Sequence, residues 1–151
     1  MNKLLSLIGN LETKIPHSDK LNISISQSPV GWHIQHTILA TKKIIQAIEG
    51  SNPQNYRWKF NLTRSFVFTF NRIPRGKGKA PKSVIPNEAF ETSVLQREIK
   101  ELKSKINVLD TLKANNYFDH PYFGSLNLKA TRKFLEIHTK HHIEIIDEII
   151  I

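Results

Sequence analysis

The helix that ends this chain carries two histidines at positions its own periodicity reserves for core residues. Leu135, His138, His142, Ile145 and Ile149 follow one another at spacings of three and four, so all five share one helical face. Two imidazoles therefore interrupt an apolar seam. A buried ring of this kind needs a hydrogen-bond partner, a cavity or a metal, because an unpaired polar group in apolar surroundings costs about 1–3 kcal/mol by mutational measure. Residues at i and i+4 have Cβ atoms roughly 5–6 Å apart. His138 and His142 can thus share one cation, with a third ligand drawn from elsewhere.

The 151 residues amount to one domain, 1–151, long enough to bury about two-thirds of the surface its unfolded chain exposes. With no cysteine, the chain has neither disulfides nor thiolate ligands, and a metal site must use His, Asp, Glu or water. The N-terminal MNKLLSLIGNLETKIP is interrupted by Asn10 and Glu12 and reads as mature protein, not as a signal peptide. No run reaches about 18 apolar residues, so no membrane span and no membrane partner is expected. The expected location is the cytoplasm.

The net charge of +9 is concentrated in one region. No acidic residue falls between Glu49 and Glu88, whereas Arg57, Lys59, Arg64, Arg72, Arg75, Lys77, Lys79 and Lys82 do. In RIPRGKGKAPKS, proline and glycine forbid a regular helix. The segment reads either as an anion-binding loop, with Arg72, Arg75, Lys77 and Lys79 as its cations, or as a solvated connection. It lacks the G-x-x-x-x-G-K-[ST] pattern of a phosphate-binding loop, so nucleoside triphosphates are not expected.

Helical periodicity accounts for most of the rest. Leu4, Leu5, Ile8, Leu11 and Ile15 predict a first helix over 3–15, ended by Pro16. Ser28 as N-cap and Pro29 at the first helical position open a second, which runs through Ile34, Ile38 and Ile45 to Gly50. The aromatic stretch 55–71 suits either period and is read as helix, with Trp58 and the phenylalanines as core or pocket wall. Leu95, Ile99, Leu102, Ile106 and Leu109 predict a third bundle helix. NNYFDHPYFG reads as a turn, in which the His120 ring packs beside Pro121, and the last helix begins near Leu126. No strand is required. The expected fold is all-α: an antiparallel, up-down-up-down four-helix bundle with an elaborated connection between helices two and three. The apolar tail IIDEIII is expected to pack on helix one or on a second copy in a homodimer.

The third ligand is sought in SPVGWHIQHTI, where His33 and His36 both lie near the inward face. Spacing leaves the choice open and leans to His33. Three imidazoles from facing helices leave positions open for water or substrate, the pattern of a reactive site, not of a closed structural one.

SPVGWHIQHTI together with HPYFGSLNLKATRKFLEIHTKHH resembles the DinB-like superfamily, in particular its uncharacterised-domain branch with an HP-x-FG turn before an H-x-x-H-H helix. The superfamily includes YfiT-like metal-dependent hydrolases and thiol S-transferases. The resemblance spans nearly the whole chain. It implies a four-helix bundle in which one histidine of helix two and an H-x-x-x-H pair hold a divalent metal, which places the ligands at His36, His138 and His142. The ion, zinc or nickel, then either lowers the pKa of a bound water for hydrolysis or holds a thiolate for transfer to a small-molecule substrate. His141 and Trp32 are expected beside the ligands or in the pocket. Glu136 and Glu144 point away from the histidine stripe by spacing, so no general base is assigned. The reading from another class is a non-catalytic binding module that uses the basic 57–82 segment for an acidic partner or, less favoured, nucleic acid.

Overall fold

The computed structural model describes residues 3–86 and 90–151. These residues are mostly helical. Five α-helices, α1 (Lys3–Glu12), α2 (Val30–Glu49), α3 (Leu62–Phe70), α4 (Thr92–Ile106) and α5 (Leu128–Ile150), accompany one hairpin of β1 (Tyr117–His120) and β2 (Gly124–Asn127). α5 packs against α1 and α2, and α4 packs against the same two helices. The core between them is an unbroken cluster dominated by Leu and Ile, including Ile8, Leu11, Ile34, Ile38, Ile45, Ile99, Leu102, Leu135 and Ile146. Ile145, Ile146 and Ile149 of the apolar tail join this core, as expected for packing within the chain, whereas Ile151 is exposed. No helix among the described residues is long and apolar enough to cross a membrane.

Ion pairs and ring contacts give the helix directions. Lys3 pairs with Glu136 and Lys14 with Asp147, the same interval on both chains, so α1 runs alongside α5 in the same sense. His33 meets His142 and His36 meets His138, so α2 runs against α5. Phe90, just before α4, lies against Gly31 at the start of α2, and Asp110, just after α4, pairs with Arg132 at the start of α5. α4 therefore descends with α2. The four helices run up-down-down-up, in place of the up-down-up-down alternation expected. Phe90 thus lies at the end of the molecule where α2 began.

The expectation of no strand is also corrected. In NNYFDHPYFG the backbone forms an antiparallel ladder, with Tyr117 opposite Asn127 and His120 opposite Gly124. His120 organises the turn itself: its Nδ1 accepts the N–H groups of Tyr122 and Phe123 at 3.1 and 3.2 Å. Its ring stacks on Phe123 at 4.1 Å, where contact with Pro121 was expected. Gly124 closes the turn at φ 72°, a left-handed conformation that costs a residue with a Cβ roughly 1–2 kcal/mol.

Several boundaries shift. α1 stops at Glu12, and Ile15–His17 form a separate 3₁₀ turn around Pro16. Ser28 does not cap α2. Pro29 holds the N-cap position, and the first free N–H groups, those of Val30 and Gly31, donate to the carbonyls of Lys20 and Ser18 across the irregular segment before the helix. α4 ends at Ile106, and Leu109 lies in the 3₁₀ turn Asn107–Thr111. α5 begins at Leu128 with Asn127 as its N-cap, Oδ1 accepting the Ala130 N–H, while Leu126 belongs to β2. Of the aromatic stretch only 62–70 is α-helical.

Gly31 has a steric reason. A Cβ there would stand 2.7–2.9 Å from the Cβ, Cγ and Cδ2 of Phe90, atoms too near the main chain to swing aside. Gly31→Ala is expected to destabilise the fold by about 1–3 kcal/mol. Pairing it with Phe90→Ala should recover part of that loss in a double-mutant cycle read by urea denaturation. Strictly additive losses would show that the two residues do not touch.

Candidate metal centre

The opposed run of α2 and α5 brings four imidazoles to one level. His33 and His36 come from the first turns of α2, and His138 and His142 from consecutive turns of α5. His36, His138 and His142 each offer a ring nitrogen, and these three atoms lie within 4.8 Å of one another, an arrangement able to hold a metal ion. His33 is not among them. It stands behind His142, with the two Nδ1 atoms 3.0 Å apart.

Hydrogen bonds orient two of the three rings. His36 Nδ1 lies 2.8 Å from the carbonyl oxygen of Val84, so that nitrogen carries the proton and donates, leaving Nε2 with its lone pair. With the proton of His142 on Nδ1, that ring donates to His33 Nδ1, and His33 in turn donates from Nε2 to Ser26 Oγ at 2.9 Å. Ser26 Oγ also accepts the Ser28 N–H. The chain Ser26–His33–His142 thereby presents His142 Nε2 as an acceptor. This is how metal-binding imidazoles are commonly held, by a donor bond from the far ring nitrogen.

His138 has packing but no such bond. Its Nδ1 is sealed from solvent and has no hydrogen-bond partner among the described residues, although the residue as a whole is partly exposed. Its ring rests against Phe134, His36 and His142. An unpaired buried polar atom costs about 1–3 kcal/mol, and it sits within a set of neutral nitrogen donors. Both features fit a borderline divalent ion.

Burial keeps these rings neutral. It holds His138 and His142 well below the usual imidazole range, reinforced by neighbouring imidazoles, and lowers His36 against the opposing effect of the Val84 carbonyl. His33, His120 and His141 are each lowered to about 4, in every case chiefly by burial. Around His141 the nearby Arg75 adds to the effect. Neutral imidazole is the form that binds metal.

The triad opens into a cavity of about 500 Å³. Trp32 forms part of its wall and stacks on His36 at 4.9 Å and 10°. Phe118, Tyr122, Phe123 and Phe134 line it from the hairpin and α5, and His141 lies at its edge. The basic loop supplies the remaining side through Ile73, Pro74, Gly76, Gly78, Lys79 and Ala80. This loop is therefore not a free solvated connection. Its end, the 3₁₀ turn Lys82–Val84, delivers the Val84 carbonyl to His36. Arg75 fastens it to α5 by two 2.8 Å bonds to the Glu148 carboxylate. A separate cavity of about 810 Å³ lies along α1 and the start of α5 and has no histidine in its lining.

The four candidate anion-binding cations thus part company. Lys79 lines the cavity, Arg75 is committed to Glu148, and Arg72 and Lys77 are exposed and do not line it. Glu136 and Glu144 face outward in ion pairs with Lys3 and Lys140. Trp58, Phe60, Phe66 and Phe70, expected as core or pocket wall, are at least half exposed. Sequence spacing offered no signal for Val84, Ser26 or the supporting role of His33, because all three act through contacts between distant segments. Comparison with family models, with curated proteins and with solved structures gave no match to this chain.

The depressed imidazoles make the metal-free protein acid-sensitive. In the unfolded chain His33, His120 and His141 protonate near 6.5, and in the folded chain only at about 4. Their contribution to stability is complete above the unfolded value and is lost as pH falls from there toward the folded one. Urea midpoints measured with chelator present should fall progressively across that window. Midpoints unchanged down to pH 4 would contradict the burial of these rings.

Proposed function

We propose that this chain is a metal-dependent enzyme of the DinB-like type, with a divalent ion, zinc or nickel, held by His36, His138 and His142. The observation that carries the reading is the convergence of three imidazole nitrogens beside a largely aromatic cavity. Such an ion supplies Lewis-acid polarisation, which generates a nucleophile at neutral pH from water for hydrolysis or from a thiol for S-transfer. The bundle of α1, α2, α4 and α5 is the scaffold in this reading, and residues 50–86 together with the hairpin are its elaboration.

The protein's own residues do the positioning. Val84 and the Ser26–His33 pair keep the donor nitrogens of His36 and His142 aimed inward. Trp32 locks the plane of the His36 ring. The aromatic wall excludes water from a small substrate that is itself partly apolar. Lys43 and Lys79 line the cavity together with Asp119. His141 lies at the cavity edge with its ring 5.2 Å from that of His142. A cytoplasmic enzyme acting on a small molecule is the corresponding cellular reading.

Elemental analysis of protein purified without a histidine tag tests the proposal. The parent should carry about one equivalent of metal. His36→Ala, His138→Ala and His142→Ala should each remove most of it. His33→Ala should keep the stoichiometry but weaken affinity by about 10–100-fold, as loss of an orienting partner does. Parent protein that takes up neither zinc nor nickel at neutral pH would overturn the enzyme reading. A His33→Ala variant as empty as His36→Ala would move the third ligand to His33.

A further inference from the structure

Helix α3 faces the wrong way for a helix of a globular core. Leu62, Phe66 and Phe70, at i, i+4 and i+8, form its apolar stripe, yet they are 75%, 50% and 64% exposed. The inward residues are Arg64 and Val67. Among the described residues the buried guanidinium reaches no carboxylate: it donates to the carbonyls of Phe123 and Lys59 and lies over the Trp58 ring. Trp58 and Phe60, just before the helix, are 66% and 70% exposed. Five of the ten large hydrophobic side chains exposed among the described residues thus fall between residues 58 and 70. Exposed apolar side chains concentrated in this way mark an interaction surface.

The charges around the patch narrow the choice of partner. Arg57 and Lys59 alternate with Trp58 and Phe60, Arg72 follows Phe70, and no acidic residue occurs from 50 to 87. Among the described residues the carboxylate ion-paired with this basic segment is Glu148 of α5, held by Arg75. Two copies of the patch placed face to face would bring cation against cation, which disfavours a symmetric dimer. The rings are poorly arranged as stacking platforms for bases. Phe66 and Phe70 pack on each other at 4.8 Å, and one face of Trp58 is covered by Arg64. Exposed Trp, Phe and Leu side chains with cations between and beside them match an anionic lipid surface, where apolar side chains enter the headgroup boundary and Lys and Arg meet lipid phosphates and carboxylates.

We propose that residues 57–72 form a peripheral docking surface for anionic membranes. The patch is rigidly joined to the cavity. Asn61 Nδ2 donates to the Tyr122 carbonyl, Arg64 holds Phe123, and both Tyr122 and Phe123 line the cavity. Docking therefore sets the cavity mouth beside the bilayer, where partly apolar molecules concentrate. This surface is independent of the metal.

The test is co-sedimentation of tag-free protein with phosphatidylcholine vesicles and with vesicles containing about 30% phosphatidylserine, in chelator. That fraction makes the surface strongly negative. Binding is expected only to the second, with a blue shift of Trp58 emission that Trp58→Phe removes. Phe66→Ser with Phe70→Ser should abolish it, and Lys59→Gln with Arg72→Gln should weaken it by about tenfold or more. Circular dichroism of both double variants should match the parent. No binding to phosphatidylserine vesicles would overturn the proposal. So would equal binding to both vesicle types, tighter binding to a single-stranded oligonucleotide, or a dimer by light scattering that the phenylalanine variant disperses.

Discussion

The structure depends on burying uncharged imidazoles between two opposed helices. α2 and α5 supply much of the apolar core, and at one level their seam is made of His33, His36, His138 and His142 in place of isoleucine. Left to themselves, four such rings would weaken the packing, because each carries a polar nitrogen that must be satisfied away from water. His33 and His142 bond to each other, Ser26 completes that pair, and Val84 takes the proton of His36. Only His138 Nδ1 is left over. The result is a set of nitrogen donors held neutral by burial and pointed toward one space, at the cost of acid sensitivity.

Satisfying those nitrogens explains why the elaborated segment has its shape. Ser26 lies in the irregular run before α2, where the backbone also caps the helix through the Ser18 and Lys20 carbonyls. Val84 closes the basic loop, which is drawn back over α2 and α5 and pinned by Arg75 on Glu148. The hairpin contributes the opposite wall, with His120 shaping its turn through two backbone N–H groups while its ring stacks on Phe123. Chain that would otherwise count as insertion thus forms the boundary of the cavity. It also carries the exposed apolar stripe of α3, whose buried Arg64 ties that stripe to the cavity rim.

Local pattern and tertiary contact had separate shares in this outcome. The stripe Leu135–His138–His142–Ile145–Ile149 was legible because a helix repeats every 3.6 residues, and so were the cores of α1, α2 and α4 and the pairing of His138 with His142. Spacing could not choose between His33 and His36, since both lie near the inward face and only the position of α5 decides which ring faces the pair and which stands behind it. Phe66 and Phe70 were read toward the core because periodicity identifies an apolar face without saying what that face meets. In α3 the buried side is fixed by Arg64 and its carbonyl partner Phe123 on the hairpin, a contact across 59 residues of chain. Helix direction was hidden for the same reason: Lys3 with Glu136 and Lys14 with Asp147 set α1 parallel to α5, and no local signal encodes that direction. The sequence by itself determined the helices, their apolar stripes and the histidine pair, because these follow from residue spacing along one segment. Tertiary structure alone decided the third imidazole, the partners that orient the rings and the wall that encloses them, because each is a meeting of segments whose separation in the chain carries no periodicity.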